Sequence, residues 1–318
     1  MTSDPQQAPA ASIAPGTQMG LVSVAVADLN KSLRYYTQGL GFAVLEQHEG
    51  SATLGVPGTP LLFLTEEPGA QPFPHDRYGY TGLYHFAILV PSRADLGRWL
   101  GHWLAAGLPF PGQGDHLVSE AFYITDPDGN GIEVYRDRPR EEWPYINGQL
   151  QMAADPIDIQ GVLAAAEQEG KSWSGMAVGT RLGHMHLQVG AIDQAEAFYH
   201  GVLGFDIMVR MPTALFISAG GYHHHIGMNI WHSRGAGPAP AGIAGLRCFT
   251  IEMPSQEART AVLERVRAAG LSFTETGNIA TLEDPWRNKI VLTIGPVAVA
   301  QVATELTFVK SLYSHDSA

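Results

Sequence analysis

The stretch Asp126-Pro127-Asp128-Gly129-Asn130-Gly131-Ile132-Glu133-Val134-Tyr135 decides how this chain is interpreted. Its first half is rich in the residues that tight turns favour, and its second half has the apolar character of a strand. Glu133 thus places one carboxylate on the strand after the turn. His85 lies 48 residues upstream in another apolar stretch, and a unit of strand, helix and further strands can bring the two side chains together. A third ligand for a metal ion must come from elsewhere.

The same organisation recurs four times along the chain. In each copy a short apolar strand is followed by an amphipathic helix and then by apolar strands separated by glycine-rich turns. We name these copies modules 1 to 4, and they begin at Gly20, Gly82, Arg181 and Gly245. Aligning the segment around Tyr36 with that around Tyr199 gives an offset of 163 residues, which maps His85 onto Cys248. The two halves therefore look like copies of one two-module unit.

These repeats predict a division of the chain into five parts. Residues 1–18 are rich in Ala, Pro and Gln and are predicted to form a disordered tail. Modules 1 and 2 occupy 19–137, and a linker with a helix near Ile159 to Gln168 occupies 138–180. Modules 3 and 4 occupy 181–295. Residues 296–318 form a C-terminal tail with helical character.

The composition of the chain disfavours some classes of binding partner and indicates a cellular location. The chain has 318 residues and a formal charge of −12, which disfavours nucleic acid and anionic membrane surfaces. The first residues lack the pattern of a signal peptide, and no stretch has the length and apolarity of a membrane span. Cys248 is the single cysteine, so no intrachain disulfide can form. We therefore expect a cytoplasmic protein that binds small molecules, and we expect a homo-oligomer.

Four such modules with the Asp126 to Glu133 stretch resemble the vicinal oxygen chelate superfamily. This superfamily includes glyoxalase I, the bleomycin-resistance proteins and the type I extradiol ring-cleaving dioxygenases, and the resemblance covers about residues 19 to 295. It implies an α+β fold in which pairs of βαβββ modules form two curled, mixed β-sheet cups. It also implies that metal ligands lie on the first and last strands of the paired modules.

The resemblance makes the choice of module pairs decisive for a metal site. The first-strand positions of modules 1 to 4 hold Leu21, His85, His184 and Cys248, and the last-strand positions fall near Leu61 or Leu62, at Glu133, near His225 and at Val291. Pairing module 1 with 2 and module 3 with 4 would leave half a ligand set in each cup. Pairing module 2 with 3 instead gathers His85, Glu133 and His184. Two imidazoles and a carboxylate suit non-haem Fe(II), and Mn(II) accepts the same set.

Further residues match the extradiol enzymes in this superfamily. There, a histidine at the last-strand position opposite the glutamate acts as an acid–base catalyst, and the family register assigns that role to His225. Strand alternation places His223 and His225 on one face and His224 on the other. The resemblance also implies that Tyr123, ten residues before the glutamate, and His116 on the preceding hairpin give hydrogen bonds to substrate oxygen. We therefore predict an extradiol dioxygenase that cleaves a catechol-type aromatic diol with O2.

The sequence is compatible with several alternatives. His186 lies on the same strand face as His184 and could replace it as a ligand. Cys248 occupies a ligand position without partners and is interpreted as a buried structural thiol. A glyoxalase-like isomerase or lyase is the second hypothesis, although the second carboxylate that it uses is replaced by His225. A metal-free binding protein like the bleomycin-resistance proteins is the third.

Overall fold

A computed structural model describes residues 12–74 and 79–303, and its secondary structure has the four-module repeat. Module 1 contains strands β1 to β4 (Gln18–Val26, Ala43–His48, Ser51–Val56, Thr59–Glu66) and helix α1 (Leu29–Arg34), which continues as a π-helical turn, Tyr35–Leu40. Module 2 contains β5 to β8 (Tyr80–Leu89, Gly112–Asp115, Ser119–Thr125, Gly131–Asp137) and α2 (Arg93–Ala105).

The predicted linker has structure of its own. It contains a 3₁₀ turn (Arg140–Glu142), the short hairpin strands β9 and β10 (Tyr145–Ile146, Gln149–Leu150) and helix α3 (Ile159–Glu169). The helix begins at an Asp158 cap, whose side chain accepts a hydrogen bond from the backbone N–H of Gly161, and it ends at Gly170 in the left-handed conformation. These are the usual start and stop signals of a helix.

Modules 3 and 4 repeat the pattern. Module 3 contains β11 to β14 (Arg181–Gln188, Asp206–Arg210, Ala214–Ser218, Ile226–Asn229) and α4 (Ile192–Ala195) with its π-helical continuation, Glu196–Val202. The short strand β15 (Gly237–Pro238) comes next. Module 4 contains β16 to β19 (Gly245–Met253, Phe273–Thr276, Ile279–Glu283, Lys289–Ile294) and α5 (Gln256–Ala268).

The strand order confirms the predicted fold class and the predicted pairing of modules. One mixed sheet has the order β12-β13-β14-β11-β5-β8-β7-β6, with β15 added beside β5, so it joins module 2 to module 3. The other has the order β17-β18-β19-β16-β1-β4-β3-β2 and joins module 4 to module 1. In each sheet the first strands of the two modules meet antiparallel at the centre, and each lies parallel to the last strand of its own module. We call the two sheets the 2/3 cup and the 1/4 cup.

The two chain ends are only partly described. Residues 12–17, predicted as part of a disordered tail, instead pack against the protein, because Ile13 is buried and its N–H donates to the carbonyl oxygen of Gly204 at 2.7 Å. In the predicted C-terminal tail, residues 299–303 are helical. Residues 1–11 and 304–318 of the predicted tails lie outside the described residues. None of the described helices is long and apolar enough to span a membrane.

The interior of the 1/4 cup is filled with apolar side chains. Leu21 and Cys248 of its central strands pack with Phe63 and Val291 of the neighbouring strands β4 and β19, and the cluster is completed by Ile279, Val297 and Val302. Cys248 is 1% exposed, which agrees with its interpretation as a buried thiol. The polar residues at the equivalent positions of the 2/3 cup surround a cavity instead.

Candidate metal centre and substrate cavity

Three neighbouring strands of the 2/3 cup bring the predicted metal ligands together. On β5, Ala87 pairs with Glu133 of β8 on one side and with His184 of β11 on the other. His85 lies two residues before Ala87 and thus on the same face of the sheet. Because alanine is small, the three larger side chains can meet above it.

The ligand atoms of these residues form one compact group. The Nε2 atoms of His85 and His184 lie 3.0 Å and 3.1 Å from Oε2 of Glu133. All three side chains are buried, and their candidate ligand atoms lie within 4.8 Å of one another. Within residues 12–74 and 79–303, this is the one place where three or more candidate His, Cys, Asp or Glu ligand atoms lie this close together.

The electrostatics of the group favour the protonation states that a metal needs. Burial raises the pKa of Glu133, but the imidazoles of His184 and His85 outweigh it and hold that pKa well below its usual value. Burial lowers the pKa of both histidines, against the opposing effect of Glu133. Metals bind ionised carboxylates and neutral imidazoles, and the directions of these pKa shifts favour both forms.

The hydrogen bonding of His85 provides a test of whether the group fits a metal. Its Nε2 is buried beside the carboxylate but lacks the alignment of a hydrogen bond to it, and no other described atom satisfies it. A buried nitrogen without a hydrogen-bond partner is costly unless something else occupies its lone pair. Two imidazoles and one carboxylate are also the ligand set of non-haem Fe(II) sites with open positions. The residues therefore fit a divalent metal of this class.

His186, the alternative ligand, also lines the cavity but makes a different contact. Its Nε2 lies 3.0 Å from Nδ2 of Asn229. The Oδ1 atom of Asn229 accepts from the backbone N–H of Trp231 at 3.1 Å, so the amide NH2 donates to His186. With Nε2 engaged in this way, the arrangement favours His184 over His186 as the third ligand.

His225 does not reach the cavity, and this corrects the family-register assignment. Its Nδ1 accepts from the backbone N–H of Ala219 at 3.1 Å, and its ring packs beside those of Tyr222 and Phe205. Burial, with a contribution from His223, lowers the pKa of His225 to about 3. The side chain that lines the cavity is His224, whose ring centre lies 4.1 Å from that of His184.

The strand register explains the error. In module 2, Glu133 pairs with the residue two positions after His85. In module 3 the residue two positions after His184 is His186, and it pairs with Gly227. Gly227 therefore occupies the position equivalent to Glu133. The three histidines lie in the connection before β14, and His224 reaches the cavity from there. Strand alternation placed His224 on the opposite face from His223 and His225. The sequence alone did not show which of these two faces points into the cup.

Tyr123 and His116 both lie at the cavity and are bonded to each other. Tyr123 of β7 is directly opposite Glu133 in the sheet, and its hydroxyl lies 2.5 Å from Nε2 of His116. The other ring nitrogen of His116 donates to the carbonyl oxygen of Ala153 at 2.6 Å. With Nδ1 donating, Nε2 of His116 accepts a hydrogen bond from the Tyr123 hydroxyl, and the Tyr123 oxygen can accept a further hydrogen bond. Burial, followed by the charge of Glu133, raises the pKa of Tyr123 well above its usual value.

The cavity above the candidate metal centre has a volume of about 670 Å³ and is mainly apolar and aromatic. Its walls include Phe216, Trp231 and Met211 from module 3 and its following loop, and Met152 from the linker. Glu133 is the single carboxylate among the described lining residues, which include no lysine or arginine. Pockets with this balance suit an aromatic molecule that is oriented by a few polar groups.

The fold and the site define a member of the Glyoxalase/Bleomycin resistance protein/Dioxygenase superfamily, whose family model matches residues 18–134 and 181–292, and the chain belongs to this superfamily. Within it, the chain is 44% identical to the catechol-2,3-dioxygenase of Bacillus subtilis (strain 168) over 278 residues, which covers 86% of this chain and 96% of that protein.

Solved structures show the same fold at low sequence identity. A candidate dioxygenase from Bacillus subtilis subsp. subtilis str. 168 superposes with a TM-score of 0.60 and 11% identity, covering 95% of this chain and 97% of that one. A glyoxalase I mutant from Zea mays gives a TM-score of 0.51 and 17% identity, covering 87% and 94%. These likenesses concern the fold alone.

Proposed function

We propose that the chain is an Fe(II)-dependent extradiol dioxygenase that cleaves a catechol-type ring with O2. The observation that carries the proposal is the convergence of His85, Glu133 and His184 at an aromatic-lined cavity beside a further histidine, His224. The 44% identity to a catechol-2,3-dioxygenase over most of both chains supports it. Mn(II) fits the same ligands, so the metal has to be identified by reconstitution.

The three ligand residues would hold the iron and leave its cavity side open. When bound, the iron supplies adjacent positions for the two vicinal oxygens of the diol and for O2, and it lowers the pKa of the bound phenol. The chain contributes the apolar walls. Phe216 and Trp231 flank the cavity, so they orient an aromatic ring and limit the entry of water.

His224 takes the acid–base role that the sequence assigned to His225. Burial, together with the surrounding histidines, lowers the pKa of His224 well below its usual value, so the imidazole is neutral. A neutral imidazole can accept the second phenolic proton of the diol and return a proton later in the reaction. On the opposite wall, the Tyr123 oxygen accepts a hydrogen bond from a substrate hydroxyl, while His116 fixes its orientation.

The same cavity disfavours the glyoxalase-like hypothesis. That chemistry would use a second carboxylate in the metal cup, and the described lining residues contain Glu133 alone. The corresponding wall of the cavity is formed by His224, which cannot supply a negative charge.

Oxygen uptake by protein reconstituted with Fe(II) under anaerobic conditions tests the proposal. On admission of air, the addition of catechols should give oxygen consumption and a yellow ring-cleavage product. Glu133→Ala should lose the iron. His224→Ala should keep the iron and lose ring cleavage by roughly 10²- to 10⁴-fold, whereas the control His225→Ala should keep both. Iron-loaded protein that consumes no oxygen with any catechol or hydroquinone would refute the proposal.

We also propose that the enzyme is cytoplasmic and forms a homo-oligomer. A single buried cysteine suits a reducing compartment. Cell fractionation tests the location, and light scattering after size-exclusion chromatography measures the number of subunits. A mass equal to one chain of 34.2 kDa would contradict the second prediction.

A further inference from the structure

Behind His224, on the side away from the cavity, two further residues form a hydrogen-bonded line. Nδ1 of His224 lies 2.8 Å from Nδ1 of His223, and Nε2 of His223 lies 2.8 Å from Oδ1 of Asp137. His223 is fully buried, and Asp137 at the end of β8 is partly exposed. The line therefore connects the cavity wall to a carboxylate four residues beyond Glu133.

The protons in this line can be placed from the chemistry of its end group. A carboxylate accepts hydrogen bonds, so Nε2 of His223 carries a hydrogen and donates it to Asp137. The contact between the two Nδ1 atoms requires one hydrogen, which either ring could supply. When His223 carries a single proton, the one on Nε2, its Nδ1 is an acceptor and the hydrogen belongs to His224. In that arrangement Nε2 of His224 is unprotonated.

A second branch fixes Asp137 in place. The hydroxyl of Tyr222 donates to the Asp137 carboxylate at 3.0 Å, and its oxygen lies 2.8 Å from the hydroxyl of Tyr135. Because Tyr222 uses its own hydrogen on Asp137, Tyr135 must donate to Tyr222. Tyr222 and His223 therefore both donate a hydrogen to Asp137, and Tyr135 donates to Tyr222, which fixes the direction of these three bonds.

We propose that Asp137 and His223 are positioning residues that hold His224 in the tautomer whose Nε2 lone pair faces the substrate. The proposal rests on the proposed function in so far as His224 is the proton acceptor. In the opposite tautomer, Nε2 would carry a hydrogen and could not take the phenolic proton. A carboxylate that fixes the tautomer of an imidazole base in this way contributes substantially to the rate in other enzymes.

Two variants of His223 separate positioning from packing. His223→Phe removes the acceptor for His224, and kcat should fall at least tenfold while KM stays within about twofold and iron is retained. In His223→Gln the amide oxygen can accept from His224 and the amide NH2 can donate to Asp137, so most of kcat should return. His225→Phe, an identical change at the neighbouring buried histidine, serves as the control and should keep kcat. Equal losses in His223→Gln and His223→Phe would overturn the proposal.

Nitrogen-15 NMR of metal-free protein labelled at histidine tests the tautomer without turnover. The resonances of His224, identified by their absence in His224→Gln, should show a protonated Nδ1 in the unsubstituted protein and in His223→Gln. A protonated Nε2 in the unsubstituted protein would overturn the proposal even if His223→Phe failed to fold. If His224→Ala retained full activity while the tautomer was as expected, the proposed acid–base role would fail and the positioning of the ring would stand.

Discussion

Replacement of Asp126 by asparagine should separate the structural role of the Asp126 turn from its role in metal binding. Oδ1 of Asp126 accepts from the backbone N–H groups of Asp128 and Asn130, and Oδ2 accepts from the side chains of Asn130 and Tyr36 at 2.9 Å and 2.7 Å. An asparagine keeps the first pair of bonds but turns an NH2 group towards the second pair. A hydrogen bond to a charged group contributes about 1.5–3 kcal/mol, so we expect Asp126→Asn to lower the free energy of unfolding by about 2–4 kcal/mol.

Asp284 of module 4 provides a matched control. Its carboxylate accepts the same four kinds of bond, from the backbone of Trp286 and Asn288 and from the side chains of Asn288 and Tyr199. Asp284→Asn should therefore cost a similar amount of stability. The two turns differ in the strand that each one leads into, because β19 carries Val291 where β8 carries Glu133.

The two variants should differ in iron affinity. Loosening the turn before β8 shifts Glu133 relative to its two histidines, and changes just outside a metal site commonly weaken binding 10- to 100-fold. Urea unfolding at pH 8 measures the stability, and competition with a coloured Fe(II) chelator measures the affinity. We expect both variants to be destabilised and Asp126→Asn alone to bind iron more weakly. Equal iron binding by the two variants, or a loss below about 1 kcal/mol in both, would refute the reasoning.

Three further predictions concern other groups. Burial raises the pKa of Glu252 to about 7, so the folded state holds its proton more tightly than the unfolded state. The free energy of unfolding should thus fall by about 1–3 kcal/mol as the pH rises from about 4.5 to 7, and Glu252→Gln, measured by urea titration, should remove that slope. Burial raises the pKa of the Cys248 thiol to about 12, so a colorimetric thiol reagent should label it only after unfolding; rapid labelling of folded protein would contradict this. Because the described cavity lining carries no lysine or arginine, alkyl- or aryl-substituted catechols should show at least tenfold higher kcat/KM than carboxylated ones in oxygen-uptake assays, and a preference for the carboxylated ones would contradict it.

The sequence predicted the module pairing because ligand types were distributed unevenly among the repeats. His85 and Glu133 belong to module 2 and His184 to module 3, whereas the equivalent positions of modules 1 and 4 are apolar or Cys248. Pairing module 2 with module 3 is the arrangement that puts all three in one cup and completes a ligand set of two imidazoles and a carboxylate. The strand order of the 2/3 cup confirms that pairing.

The sequence could not predict which histidine of the triplet faces inward. A shift of one residue moves a side chain to the opposite face of a sheet, and the segment around His224 lies before β14, where strand alternation is not yet fixed by pairing. The same holds for contacts made by the linker. The carbonyl oxygen of Ala153 orients His116, but a backbone group leaves no signature in the amino-acid sequence.

The two cups show how few positions separate a packed core from a reactive cavity. Phe63 and Glu133 occupy equivalent last-strand positions, because each pairs with the residue two places after the first-strand position of its module. In the 1/4 cup, Phe63 packs with Cys248 and excludes space for a ligand. In module 2 of the 2/3 cup, this position holds the carboxylate of Glu133. In module 3 it holds Gly227, which has no side chain. A Cβ at Gly227 would lie 3.1 Å from His186 Nδ1, so glycine at this position leaves space for the His186 ring. The 2/3 cup therefore stays open because it has polar ligand residues and lacks a side chain where the 1/4 cup has large apolar ones.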